Sequence, residues 1–198
     1  MYSIFDLPLS SVDLEVLQDL QRRYPNAVIR VEAEDQLGTT SVSEDFFWGI
    51  IAQFDWGRKR PQDVMAPAIM ALSAYGEAEI FAFEECLAQK LYALDTELHA
   101  KQIGWGQEGA FFSPDGFLYN RCAVVANGND FYVKVLNTPE LMSVDISFEP
   151  ILYLAEKAYQ LKTGKNDYDY LPNTNFETFA NTKGWPDGPN MEKFLMNN

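Results

Sequence analysis

The sequence predicts an α+β fold that is mainly α: a bundle-like core of about five helices behind a small N-terminal β-α-β element. Two observations predict it. Apolar residues recur at three- and four-residue spacing through much of 43–164, the period of a helix with one buried face. Apolar and polar residues alternate over Ala27–Ala33 (AVIRVEA), the period of a half-buried strand. The expected organisation is a single domain over 1–198. It comprises the β-α-β element (1–35), the helical core (43–164) and an irregular C-terminal arm (165–198) packed on that core.

Residues 2–7 (YSIFDL) read as a short strand. Ser10 or Ser11 then caps a helix with the stripe Leu14, Leu17 and Leu20, because a hydroxyl there accepts from a first-turn amide. Pro25 disfavours the helical state at Tyr24 and ends that helix. Ser41 or Ser43 caps the next, where Phe47, Ile50, Ile51 and Phe54 share one face and Asp55-Trp56-Gly57 closes it. A third helix is expected to start near Asp63, with Pro67 in its first turn and Gly76 as its C-cap. From about Glu77 to Gln102, Ile80, Phe83, Leu87, Leu91, Leu94 and Leu98 repeat at 3-4-4-3-4 spacing. Phe81, Ala88, Tyr92 and His99 widen this stripe, so the helix is expected to be central; Gly104 and Gly106 break it.

Ser113-Pro114-Asp115-Gly116 reads as a turn. Residues 117–126 fit two readings: Val124 and Val125 favour a strand, and the 118/122/125 spacing fits a helix. Phe131, Tyr132, Val135 and Leu136 fit a short helix ending before Pro139. Phe148 to Thr163 reads as the last helix, with Ser147 as its cap, Glu149 at its positive end and Gly164 closing it. In the arm, Phe176, Phe179 and Trp185 argue for packing onto the body.

Asp plus Glu total 29 against 15 Lys plus Arg, a formal net charge of −14. Such a surface repels phosphate backbones, and the compact basic cluster Arg58, Lys59 and Arg60 is too small for a nucleic-acid stripe. The charge keeps the chain soluble, and it would also steer a basic protein partner. Cys86 and Cys122 have neither a CxxC neighbour nor a nearby His, and the chain holds a single histidine. No metal site or cofactor is therefore expected. Two free thiols suit a reducing compartment. The N-terminus lacks a basic n-region, and no run of 18 apolar residues occurs, so no membrane association and a cytoplasmic location are expected. GxSxG, GxxxxGK[ST], HExxH and GxGxxG are all absent.

The candidate chemistry sits on the long helix. Glu84 and Asp95 project into its apolar arc, and a carboxylate there needs a cation or hydrogen-bond donors. They are 11 residues apart, about 16 Å of helix, too far for a paired-carboxylate glycosidase site. Arg121 is the expected partner of Asp95, since guanidinium and carboxylate pair bidentately. His99 lies four residues after Asp95, a spacing at which the acid could orient the imidazole. Two outcomes follow: a buried ion pair that fixes the fold, or a polar pocket lined by Asp95, His99, Tyr119 and Arg121.

Ser113-Pro114-Asp115-Gly116-Phe117-Leu118-Tyr119-Asn120-Arg121 resembles the Asp-Gly-Phe-x-Tyr-x-Arg signature of a bacterial family, domain of unknown function 4240. Phe47-Trp48, Leu91-Tyr92-Ala93-Leu94-Asp95, and Gly128 with Tyr132, Leu136 and Pro139 are similar to further parts of its pattern. Asn120 and Cys122 depart from it. The resemblance covers about 43–164 and implies a helix over 117–126. It adds Asp115 to Tyr119 and Arg121 as signature residues, and it carries no activity. Two functions are expected on these grounds. One is a non-enzymatic interaction protein of the antidote, immunity or regulator kind, anchored by Tyr168, Tyr170, Phe176, Phe179 and Trp185. The other is an enzyme or small-ligand binder using the polar pocket.

Overall fold

The computed structural model describes residues 22–24, 43–107, 109–186 and 188. The chain divides into two compact units, 1–37 and 38–198. In the first, Arg22 and Arg23 are helical and Tyr24 is not, as a helix stopped by Pro25 requires. The expected strands at 2–7 and 27–33 lie outside the described residues, among which there is no strand. The described protein is mainly helical.

The second unit runs α1 (Glu44–Ile51), α2 (Pro61–Ser73), α3 (Glu77–Ala93), α4 (Glu97–Lys101), α5 (Pro114–Ala126), α6 (Asn129–Asn137) and α7 (Leu154–Thr163). Short 3-10 segments occupy Pro139–Leu141 and Glu149–Tyr153. Ser43 caps α1, its hydroxyl accepting from Phe46 N at 3.1 Å, and Phe47, Ile50, Ile51 and Phe54 are buried together as their spacing requires. The helix α3 is central, packing against α1, α2, α5 and α7. Its Ile80, Phe83, Leu87 and Leu91 are buried, each contributing roughly 1.5–3 kcal/mol of transfer free energy.

The boundaries depart from the sequence reading in six places. The helix α1 ends at Ile51, short of Asp55-Trp56-Gly57. Pro61, not Asp63, opens α2, so Pro67 falls inside the helix. Pro67 is exposed, so the carbonyl its missing N–H leaves unpaired can meet water. Gly76 is the N-cap of α3 rather than the C-cap of α2. The long helix ends at Ala93 and restarts at Glu97, because Thr96 is extended and caps α4, its hydroxyl accepting from His99 N at 3.3 Å. A short hydroxyl side chain favours this local bond over continuing the helix. The break leaves Leu98, expected in the core stripe, 61% exposed. Ser113-Pro114-Asp115-Gly116 is a helix start: Ser113 caps α5 through Gly116 N, and Pro114 takes the first helical position. Finally, Phe148, not Ser147, stands at the last helix's entry, which begins as the 3-10 turn of Glu149–Tyr153.

Residues 117–126 are helical, and the reason for their ambiguity is visible. Every residue from Asn120 to Ala126 is buried, so α5 has no polar face to reveal its period. The arm packs on the body: Trp185 is buried, and Tyr168, Phe176 and Phe179 pack partly buried against the core.

Candidate functional site

Three buried ionisable side chains of the helical body, Glu85, Asp95 and Arg121, hold the arm. The break between α3 and α4 turns the Asp95 carboxylate, fully buried, toward residues 179–185. Its Oδ1 accepts from Phe179 N at 3.1 Å and from Trp185 Nε1 at 3.0 Å, and its Oδ2 from Asn181 N at 2.9 Å. Phe179 has φ of 75°, a left-handed conformation costing a non-glycine residue roughly 1–2 kcal/mol. The carboxylate bond to its amide and its edge-to-face contact with Trp185, centroids 4.7 Å apart, offset that cost.

Arg121, also fully buried, projects from α5 with its guanidinium 4.7 Å from the Phe117 ring. It donates from Nη1 to Leu91 O at 2.9 Å and Phe176 O at 3.0 Å, and from Nη2 to Thr178 Oγ1 at 2.9 Å. Burial lowers its pKa from the usual arginine value, and the nearby charge of Asp95 works the other way. The expected ion pair is absent: among the described residues no salt bridge joins Arg121 to Asp95, and each is bonded instead to backbone and side-chain groups of the arm, Arg121 also to Leu91 O.

Glu85 makes the third anchor, accepting from Asn173 N at 2.7 Å, Thr174 N at 3.2 Å, Thr174 Oγ1 at 2.7 Å and the Tyr170 hydroxyl at 3.3 Å. The sequence reading missed it in favour of Glu84. A signal was present: Glu85 lies four residues after Phe81 and three before Ala88, both on the edge of the stripe. Glu84, expected to face inward with a cation, is half-buried and accepts from the Tyr168 hydroxyl instead. Burial pushes its pKa to about 7, and the charges of Glu156 and Glu85 add to the effect.

The remaining candidates do not converge with these. His99 is buried, and its partners are Thr96 Oγ1 on Nδ1 at 2.7 Å and Val135 O on Nε2 at 3.1 Å, not Asp95. A carbonyl can only accept, so Nε2 carries the proton and Nδ1 accepts from the Thr96 hydroxyl in the neutral ring. Burial lowers the His99 pKa, which keeps that neutral form at pH 7. Tyr119 is half-buried and Asp115 exposed on the first turns of α5. An open cleft of about 530 Å³ lies beside α4, walled by Leu98 and His99, by Leu136 and Pro139, and by Lys183 and Pro186 of the arm. Of Asp95, His99, Asp115, Tyr119 and Arg121, only His99 lines it. Among the described residues no group of three His, Cys, Asp or Glu could hold a metal. No helix among them is long and apolar enough to cross a membrane.

A family model described as a protein of unknown function, DUF4240, matches residues 42–161. The chain belongs to the DUF4240 family. No curated protein and no solved structure matches it. The DUF4240 segment contains Asp95 and Arg121 and stops within α7, so the arm they hold lies beyond it. Asn120 has a local use: its Nδ2 donates to Ser143 O at 3.2 Å and to Ile146 O, tying the 143–146 loop to α5. Cys122 is fully buried, and burial pushes its thiol up to about 12.

Proposed function

We propose that this DUF4240 protein is a non-catalytic interaction domain of the bacterial cytoplasm whose partner is a basic protein. One observation carries the reading: Glu85, Asp95 and Arg121, the buried ionisable groups best suited to chemistry, are spent on the chain's own arm. An enzyme built on Asp95, His99, Tyr119 and Arg121 would need them around one open cleft. Of the arm aromatics first considered as anchors, Phe176, Phe179 and Trp185 pack on the core, which leaves the charged surface as the working part. Around Phe81, Tyr159, Tyr168 and Tyr170, linked by ring contacts, stand acidic side chains: beyond the effect of burial, the charge of Glu156 raises the pKa of Glu84, and those of Asp167, Glu77 and Asp169 raise that of Tyr159. This is the face that would attract a cationic partner. Free cysteines at 86 and 122 fit the reducing compartment.

Affinity capture from the native host at low salt, followed by elution with rising salt, tests the reading. The expected result is a stoichiometric basic protein released as ionic strength screens the attraction. Its affinity should fall when Glu156, Asp167 and Asp169 are replaced together by Lys. Recovery of no stoichiometric partner, or of one indifferent to that charge reversal, overturns the reading.

A further inference from the structure

The cleft beside α4 has no part in the interaction proposed above. Its volume of about 530 Å³ falls within the range of small-molecule sites. Its walls are largely hydrocarbon, from Leu98, Leu136, Pro139 and Pro186. Leu98 stands 61% exposed there, uncovered by the helix break that withdrew it from the core stripe. Three of the four polar side chains in the lining are already engaged. The imidazole of His99 is bonded at both nitrogens, the Thr96 hydroxyl is shared with it, and Glu97 pairs with Lys101 at 3.0 Å. The fourth, Lys183, is exposed and makes no ion pair among the described residues. The cleft therefore offers an apolar trough and one uncommitted positive charge.

Its walls are also fixed in advance. Glu97 N donates to Gly184 O at 2.9 Å, and Asn181, two residues before Lys183, is held by Asp95 and by Tyr92 O. A site whose walls need no ordering keeps more of its interaction energy as affinity. We propose that this cleft binds small amphipathic carboxylates, with the hydrocarbon tail against Leu98, Leu136, Pro139 and Pro186 and the carboxylate at the Lys183 ammonium.

The single histidine makes the test direct, because one imidazole resonance in the NMR spectrum reports from the cleft wall. The full chain is titrated at fixed pH with butyrate, hexanoate and octanoate, and with octanol and octylammonium as controls. The expected result is a saturable shift of the His99 ring signals by the carboxylates, with affinity rising about fourfold per added CH₂. Octanol and octylammonium should bind more weakly than octanoate. Lys183→Gln, an exposed change compatible with folding, should weaken octanoate by roughly threefold to fivefold. Leu98→Gln should weaken octanoate and reduce the gain per added CH₂. No saturable shift, equal binding of octylammonium, or an affinity indifferent to Lys183→Gln would each overturn the proposal.

Discussion

Replacing Asp95 by Asn asks how much of the fold depends on one buried carboxylate. Asparagine keeps the size of the side chain and exchanges one acceptor oxygen for an NH₂ group. Asp95 accepts at both oxygens, from Phe179 N and Trp185 Nε1 at Oδ1 and from Asn181 N at Oδ2. Whichever way the amide is turned, at least one arm N–H then faces another donor. A hydrogen bond to a charged group contributes roughly 1.5–3 kcal/mol, and leaving a buried donor unmet costs about 1–3 kcal/mol. With the surviving bonds weakened to neutral strength, the expected loss is roughly 3–5 kcal/mol. For a unit of this size that corresponds to a fall in Tm of about 10 °C. Urea unfolding followed by tryptophan fluorescence measures the loss, and hydrogen exchange at the Phe179 and Asn181 amides locates it in the arm. A loss below about 1 kcal/mol, with the two amides still protected, would refute the view that Asp95 fastens the arm.

Three further outcomes follow from the same geometry. Because the folded-state pKa of Glu84 is raised to about 7, the folded protein holds a proton that the unfolded chain releases near 4.5, and Glu84 lowers stability as pH rises through that window. The charges facing it are Glu85 on its own helix and Glu156 on α7, with the Tyr168 hydroxyl from the arm. Glu84→Gln should therefore gain roughly 2–3 kcal/mol over wild type between pH 5 and pH 8. His99, whose burial lowers its pKa, contributes stability that is lost as pH falls below its ordinary range. It does so in both proteins, so comparing the two urea midpoints isolates Glu84, and parallel pH profiles would contradict the assignment. Gly184→Ala places a Cβ 2.6 Å from Asp95 O, a backbone atom with no room to yield, and should cost roughly 1–3 kcal/mol by thermal melting; an unchanged Tm would count against the tight seating of the arm. Burial pushes the Cys86 thiol up to about 11 and the Cys122 thiol up to about 12, so a disulfide reagent at pH 8 should label native protein slowly and denatured protein fast. A rapid two-thiol burst in the native protein would show that these sites are open.

The sequence alone determined what depends on local period and local bonds. The Phe47/Ile50/Ile51/Phe54 stripe, a serine cap at Ser41 or Ser43 (Ser43 in the structure), the short helix before Pro139 and the αL stop at Gly164 all followed from residues within two turns of one another. It also led to the expectation that Asp95 falls among hydrocarbon neighbours and must be matched, as it is, although the wheel that placed it there ran through a helix that ends at Ala93. The tertiary structure alone decided what matches it. Asp95 meets Phe179, Asn181 and Trp185 more than 80 positions along the chain, and Arg121 meets Phe176 and Thr178 more than 50 positions along. Most of those arm groups are backbone N–H and C=O, which nearly every residue type carries. A sequence reveals that a buried charge needs partners, and it cannot reveal which peptide groups supply them until the chain has brought them into reach.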